Sequence, residues 1–274
     1  MLGMYLQSVR SRAPLIHNIT NYVTVNDVAN AILACGANPV MADDPQDARE
    51  ITAICGGLNL NIGTLNQRTI PAMFAAGEIA AQLGHPIVLD PVGAGASTIR
   101  TQTALDLMRR LPLTAIRGNI SEIKTLAVGS GSTKGVDADA ADAVCEENLD
   151  ASVAFVRSFA ACANCVVAVT GAMDLVSDGK RTFVIRNGKS QMSRITGTGC
   201  QLSGVMTAFL SANPQNTLEA AAAAVCMMGL AGEIGFAAMQ PGQGNASYRT
   251  HILDAINCMT PKALDEGANY EIRI

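Results

Sequence analysis

The chain has 274 residues, a length that suits one large α/β domain or two small ones. Its net charge is −4 and the sequence has no basic cluster, which excludes the cationic surface that nucleic-acid binding requires. Hydrophobic residues make up 49% of the chain, charged residues only 15%, and there is no Trp, so we expect a core of aliphatic side chains.

Short apolar runs alternate with stretches of helical periodicity from residue 14 onward. The apolar runs predict strands at Pro14–Ile19, Pro39–Ala42, Leu58–Ile62, Pro86–Asp90, Leu113–Ile116 and Cys165–Val169. The helical stretches between them predict helices at Val23–Cys35, Pro45–Cys55, Asn66–Leu83 and Thr101–Arg110. This repetition predicts an α/β fold, a mostly parallel central sheet with helices on both faces.

The segment Asp174–Ile185 differs, because two alternating strands flank the turn signal Asp178-Gly179. We interpret it as a β-hairpin at an edge of the sheet. After it the pattern predicts helices at Thr198–Leu210, Thr217–Met239 and Ala246–Cys258. The one flexible-looking segment spans residues 129–132, and no internal repeat or long linker appears, so we expect a single domain over residues 1–274.

The most apolar segment is Ala220–Met239, which is interrupted by Glu233 and carries three glycines. Its uncharged run is shorter than a membrane span requires, so we interpret it as a buried helix and expect no membrane association. No apolar signal-peptide core precedes Pro14, and we expect a cytoplasmic protein. The eight cysteines include the C-x-x-C match Cys162–Cys165, but no second pair follows it, and buried free thiols are the expected state.

Polar residues follow the predicted parallel strands where those strands end, the edge at which open α/β sheets bind ligands. They are Asn18, Thr20, Asn21, Asp43, Asp44, Gly63, Thr64, Asp90, Arg117, Asn119, Glu122, Thr170 and Gly171. Asp43 and Asp44 receive no role. His17 could be catalytic, but a hydrogen-bonded structural histidine is the favoured interpretation.

This set contains the parts that phosphoryl transfer needs. Asp90 and Glu122 are oxygen ligands suited to Mg²⁺, while Arg117 and Thr170 could bind phosphate oxygens. Structural alternatives stay open for each: a helix cap or turn for Asp90, a capping box with Asn119 for Glu122, and a salt bridge for Arg117. No Gly-x-x-x-x-Gly-Lys-Ser/Thr run is present, which argues against a P-loop enzyme.

A glycine turn opens the helix predicted at Thr198. Gly197 and Gly199 leave backbone N–H groups bare at the helix start, where the helix dipole favours an anion, and Cys200 lies in the same turn. Glycine turns before helices also serve packing alone, so both interpretations stay open.

Taken together, these motifs resemble the hydroxyethylthiazole kinase family, whose members have a ribokinase-like fold. The matching stretches run in the expected order from residue 14 to residue 210. They are Leu15–Asn21, Gly36–Ala42, Leu60–Thr64, Leu89–Gly95, Ile116–Glu122, Lys134–Asp137, Val169–Gly171 and Thr196–Cys200.

The resemblance implies ATP-dependent phosphorylation of the primary hydroxyl of 4-methyl-5-(2-hydroxyethyl)thiazole in thiamine biosynthesis or salvage. It also implies a homotrimer with the thiazole pocket at a subunit interface. Met41, Gly197 and Asn21 match positions that approach the thiazole. Cys200 stands where broader ribokinase-like enzymes carry a catalytic Asp. Its place at a helix N-terminus favours a thiolate that could take the hydroxyl proton. A thiol whose pKa stays near the free value of about 8.5 is a poor base at neutral pH and would position the alcohol instead.

For the co-substrates, the resemblance places ATP at Arg117 and Thr170, and Mg²⁺ near Asp90 and Glu122. Related vitamin kinases for hydroxymethylpyrimidine or pyridoxal, and the repair dehydratases of hydrated nicotinamide cofactors, usually carry Asp where this chain has Cys200. A nucleotide- or thiazole-binding regulator is the non-catalytic alternative, and the presence of both Asp90 and Glu122 argues against it.

Overall fold

The structure, a computed structural model, describes residues 1–129 and 143–274. Its strands are β1 (Leu15–Ile19), β2 (Asn38–Met41), β3 (Gly57–Asn61), β4 (Ile87–Asp90), β5 (Ala115–Gly118), β6 (Val166–Val169), β7 (Asp174–Ser177), β8 (Thr182–Ile185) and β9 (Tyr270–Arg273). Its α-helices are α1 (Gly3–Arg12), α2 (Val25–Cys35), α3 (Pro45–Ile54), α4 (Thr69–Leu83), α5 (Thr98–Arg110), α6 (Ile120–Gly129), α7 (Leu149–Ala163), α8 (Thr198–Ala212), α9 (Thr217–Ala237), α10 (Asn245–Cys258) and α11 (Pro261–Gly267). Short 3₁₀ turns occupy Glu146–Asn148 and Ser190–Arg194.

The strands form one nine-stranded sheet in the order β2-β1-β3-β4-β5-β6-β7-β8-β9. From β2 to β6 every pair is parallel, and from β6 to β9 every pair is antiparallel. The parallel register sets Asn18 beside Met41 and Asn61 beside Asp90. The carboxyl ends of the parallel strands therefore meet along one edge, as predicted.

Two apolar cores cover the two faces of this sheet. One contains side chains of α1, α2, α8, α9 and α10, including the fully buried Phe209. The other contains side chains of α4, α5, α6 and α7, including the nearly fully buried Phe159. This arrangement confirms the predicted α/β class, with a mostly parallel sheet between helices.

The antiparallel end of the sheet differs in one respect from the prediction. β7 and β8 form the predicted hairpin around Asp178-Gly179, where Gly179 has a φ of 87°. The outermost strand is β9, which pairs with β8 and was not predicted. The expectation that the hairpin forms an edge of the sheet is therefore wrong, because β9 covers β8. Its short run Tyr270-Glu-Ile-Arg273 carries charges, as edge strands often do, and so lacks the apolar signal of a central strand. No helix bounds were predicted for α1, α6, α7 and α11.

The apolar helix α9 is the one helix in the described part of the chain that is long and apolar enough to cross a membrane by length and composition. The protein buries 78% of that apolar window. The Tyr248 hydroxyl of α10 donates to the Gly232 carbonyl at 2.9 Å, and Gly229 gives room to Asn187. The interpretation of this segment as a buried core helix is confirmed.

All eight cysteines are free, and Cys162 and Cys258 are exposed. Within residues 1–129 and 143–274, no group of three or more His, Cys, Asp or Glu side chains is placed to hold a metal ion. The predicted flexible segment at 129–132 and the Lys134–Asp137 motif lie outside the described residues, apart from Gly129.

Candidate active site

Helix α8 begins at the carboxyl edge of the sheet, in the glycine turn that the sequence singled out. Gly197 caps the helix with a φ of 84°, and a Cβ there would collide with the Thr24 side chain. The first intrahelical hydrogen bond runs from the Gln201 N–H to the Gly197 carbonyl at 2.8 Å. The N–H groups of residues 198–200 lie ahead of it, so the turn has the donors of an anion site.

Asp90 ends β4 and its side chain is fully buried beneath this turn. Its Oδ2 accepts hydrogen bonds from Asn61 Nδ2 and Ser203 Oγ, both at 2.8 Å. Its Oδ1 is buried without a hydrogen-bond partner and lies 3.6 Å from an Arg117 guanidinium nitrogen. Burial raises the pKa of Asp90 to about 6, although Arg117 opposes that shift. Asp90 caps no helix, and within the described residues its Oδ1 has lone pairs that no hydrogen bond occupies.

Arg117 links Asp90 to a second group, the Thr170 hydroxyl after β6. The guanidinium contacts Thr170 Oγ1 at 2.5 Å, and the Thr170 N–H donates to the Gly118 carbonyl at 2.9 Å. A Cβ at Gly199 would overlap the guanidinium, so glycine there lets Arg117 lie against the first turn of α8. The salt-bridge interpretation of Arg117 is confirmed, and the same geometry also presents the cation at the anion site.

Glu122 forms the capping box that the sequence left open. Its Oε2 accepts from the Asn119 N–H at 2.8 Å, and its own N–H donates to Asn119 Oδ1 at 2.9 Å. Its Oε1 accepts from the Gly93 N–H at 2.8 Å, which fixes the loop after Asp90. The negative charge of Glu122 is close enough to raise the pKa of Asp90. Each carboxylate oxygen retains lone-pair capacity beyond its one N–H donor.

Cys200 is buried next to Asn21, whose Nδ2 bonds its Sγ at 3.2 Å and Asn61 Oδ1 at 3.0 Å. The Asn21 Oδ1 accepts from the Thr24 hydroxyl at 3.0 Å, so the amide is held on both sides. Burial, followed by the charge of Asp90, raises the pKa of Cys200. Both effects oppose the helix dipole, which by itself would favour a thiolate, and they support the alternative in which the thiol stays protonated.

Met41 lies apart from this hydrogen-bonded cluster, half-buried at the end of edge strand β2 and beside Asn18 in the sheet. His17 is fully buried, with its ring nitrogens 2.7 Å from Thr52 Oγ1 and 2.8 Å from the Ala42 carbonyl oxygen. Burial lowers the pKa of His17. The structural interpretation of His17 is confirmed, and its bond to Ala42 supports the chain next to Met41.

A cleft of about 510 Å³ opens beside Arg117. Arg117, Thr170 and Asp174 contribute polar groups to its lining, and Leu202, Val225 and Met228 contribute apolar ones. Thr198 and Gly199 at the start of α8 also line it. One cavity therefore joins an apolar surface to the anion site.

Three further residues complete the site and were not predicted: Asn61, Ser203 and Asp174. Asn61 and Ser203 hold Asp90, and Asp174 lines the cleft. Ser203 and Thr207 are both buried and lie four residues apart on α8, a spacing that places polar groups on one face. The sequence could have indicated Ser203 by this spacing, and Asn61 by its place at the end of β3.

Comparison with known proteins identifies the family of this chain. The sequence profile of the hydroxyethylthiazole kinase family matches residues 6–262. The chain belongs to the hydroxyethylthiazole kinase family. The hydroxyethylthiazole kinase of Clostridium acetobutylicum is 52% identical over 99% of each chain, and that of Methanocella arvoryzae is 43% identical over 99% of this chain and 97% of its own.

Solved structures agree with this family membership. The hydroxyethylthiazole kinase of Pyrococcus horikoshii superposes with a TM-score of 0.87 at 35% identity, covering 100% of this chain and 99% of its own. Pyridoxal kinase from Staphylococcus aureus matches with a TM-score of 0.61 at 15% identity, over 94% of this chain and 97% of its own. The second likeness shows the shared ribokinase-like fold alone.

Gly199→Ala tests the packing of Arg117 against α8. We expect the added methyl group to displace the flexible guanidinium, so the fold stays intact while kcat/KM for ATP falls by about 10- to 100-fold. Steady-state kinetics and thermal unfolding measure the two effects. Gly244→Ala, where a Cβ meets open space, is the control with unchanged kinetics. Wild-type kinetics in Gly199→Ala would show that the position of Arg117 is unimportant.

Proposed function

We propose that this chain transfers the γ-phosphate of ATP to the primary hydroxyl of 4-methyl-5-(2-hydroxyethyl)thiazole, as a single-domain cytoplasmic kinase. The position of Arg117 carries the proposal, because its guanidinium contacts Thr170 in the cleft, the buried Asp90 and the start of α8. A cation there can contact both the nucleotide phosphates in the cleft and the phosphate group that is transferred. The full-length relatives that bear the name of this kinase support it.

The cleft accounts for nucleotide binding. Its apolar lining at Leu202, Val225 and Met228 suits the adenine base, and Arg117 and Thr170 suit the phosphates. The N–H groups at the start of α8 lie where negative charge develops on the transferring group. Positioning and charge stabilisation by these groups do most of the work in phosphoryl transfer.

The donor set suits Mg²⁺. Asp90 would hold it through the buried Oδ1 that has no hydrogen-bond partner, and Glu122 would contribute through the remaining lone pairs of its carboxylate. Such ions are typically bound by one or two carboxylates, with substrate phosphates and water completing the shell. When bound, the ion neutralises charge on the phosphates. Asn61 and Ser203 keep the Asp90 carboxylate oriented.

Asn21, Gly197 and Met41 would border the thiazole. Asn21 and Gly197 both contact Thr24, and Asn21 bonds Cys200, so the hydroxyl to be phosphorylated would meet the thiol beside the anion site. Because burial raises the pKa of Cys200, a neutral thiol orients the alcohol rather than removing its proton. The acceptor hydroxyl would then attack the γ-phosphate in line. The bond between the γ-phosphate and ADP would break, ADP would leave, and the hydroxyl proton would pass to a phosphate oxygen and then to solvent.

A homotrimer with shared active sites is part of the proposal. Tyr22 and Val23 directly follow Asn21 and are 77% and 59% exposed, and Ile54 is 68% exposed. Exposed apolar side chains next to a substrate-binding residue suit contact with a second copy of the chain. Such contact would close the thiazole pocket.

ATP consumption with Mg²⁺ tests the substrate assignment. We expect turnover with 4-methyl-5-(2-hydroxyethyl)thiazole and none above background with hydroxymethylpyrimidine or pyridoxal, because Cys200 replaces the Asp that those kinases carry. A coupled assay of ADP release compares the three alcohols at equal concentration. Turnover of another alcohol alone would contradict the thiazole assignment, and no turnover with any of them would favour a binding protein.

Cys200→Asp tests the role of the thiol. If Cys200 only positions the alcohol, the Asp variant retains or raises kcat, since Asn21 Nδ2 can donate to a carboxylate as it does to the thiol. Cys200→Ala removes the polar group, and we expect its kcat to fall by about 10-fold or more. Loss of most activity in a folded Asp variant would instead assign the thiol a chemical role that a carboxylate cannot replace.

A further inference from the structure

Asp174 is a carboxylate in the cleft to which the proposed chemistry gives no task. It begins β7, is half-buried and lines the cleft together with Arg117. Its Oδ1 accepts a hydrogen bond from the Gly171 N–H at 2.8 Å. That bond closes the turn between β6 and β7.

This turn carries the group that holds Arg117. Thr170 precedes Gly171, and its hydroxyl contacts the Arg117 guanidinium at 2.5 Å. A chain of contacts therefore runs from Asp174 through Gly171 and Thr170 to Arg117, and from there to Asp90. Through this chain of contacts, Asp174 influences the position of Arg117 indirectly.

The charged and titratable groups around Asp174 come from three other elements. Arg117 on β5 lowers the pKa of Asp174. Cys226 on α9 is buried, and burial together with the charge of Asp174 raises its pKa, so it stays a neutral thiol. Lys189 lines the same cleft. The positive charge of Arg117 thus lowers the pKa of Asp174, against the rise that burial causes.

The protonation of Asp174 is balanced near neutral pH. Burial raises the pKa of Asp174 to about 7, while the Gly171 N–H and Arg117 oppose that rise. A nucleotide whose phosphates pair with Arg117 would cancel the charge that helps to keep Asp174 ionised. The pKa of Asp174 would then rise further, and the carboxylate would take a proton from solvent on the oxygen that does not bond Gly171.

We propose that Asp174 is a positioning residue for the nucleotide, which holds the Thr170–Arg117 contact through Gly171 and takes up one proton as the phosphates enter the cleft. This inference rests on the proposed placement of ATP in the cleft. By linkage, nucleotide affinity is constant at pH values below the pKa of free Asp174 and falls above it, by at most tenfold per pH unit.

Calorimetric titration of the wild-type protein with ADP and Mg²⁺ tests the proton uptake. At pH 7 in two buffers of different ionisation enthalpy that carry no phosphate, such as PIPES and Tris, we expect the apparent binding enthalpies to differ by a fraction of one proton's ionisation enthalpy. In Asp174→Asn the amide oxygen still accepts from Gly171, but the proton uptake disappears. Thermal unfolding checks that the variant folds. If it does not fold, the buffer dependence of the wild-type enthalpy alone tests the proton uptake.

Kinetics separate the positioning role from a structural one. In the wild type, KM for ATP rises as the pH increases above 7, whereas KM for the thiazole does not follow it. In Asp174→Asn, the rise of KM for ATP between pH 7 and pH 8 is lost, because an amide takes up no proton. Asp174→Ala also loses the bond to Gly171, and its KM for ATP is several-fold higher at every pH.

ADP binding without a buffer-dependent enthalpy in the wild type overturns the inference and leaves the proposed function standing. A KM for ATP that keeps its pH dependence in Asp174→Asn overturns it as well. Failure of ADP to bind the wild type at millimolar concentration overturns both the inference and the proposed nucleotide site.

Discussion

The site depends on a carboxylate held in the core. Asp90 is fully buried at the end of a central parallel strand, and removing it from water raises its pKa to about 6. The free-energy cost of burying this charge is offset by three partners, Asn61 on β3, Ser203 on α8 and Arg117 on β5. Elements that are far apart in sequence must converge on one oxygen pair, so the sheet order and the position of α8 are constrained by this group.

The same constraint explains the glycine turn at the start of α8. Ser203 can reach Asp90 only if the helix approaches the sheet closely, and Gly199 lets Arg117 lie against the first turn. Gly197 has no Cβ and so leaves room for the Thr24 side chain, whose hydroxyl holds Asn21. The cleft, the anion site and the buried thiol are consequently neighbours in one compact arrangement.

The sequence predicted the central features because they follow from periodicity and strand ends. Strands β1 to β6 and the turn at Gly197 lie within a few residues of their predicted positions. β9 was not predicted, because a charged edge strand carries no apolar pattern. The two-sided role of Glu122, as capping residue and as neighbour of Asp90, could not be seen from spacing alone.

The role of Cys200 was left open by the sequence. Position at a helix N-terminus favours a thiolate, whereas burial and the charge of Asp90 raise the pKa of the thiol. Desolvation depends on tertiary packing, which no local motif reports. Asp174 was overlooked for the same reason, since its surroundings come from β5, the turn after β6 and α9.

Steady-state kinetics of Asp90→Asn test the central claim most directly. The substitution keeps the shape of the side chain and removes its charge, so the account predicts that the protein folds with an unchanged or higher melting temperature. Its kcat should fall by about 100-fold or more, since the electrostatic stabilisation of phosphate transfer is lost. Asp106→Asn, at an exposed carboxylate paired with Arg109, is the matched control. A folded Asp90→Asn protein with kcat within a few-fold of wild type would contradict the account.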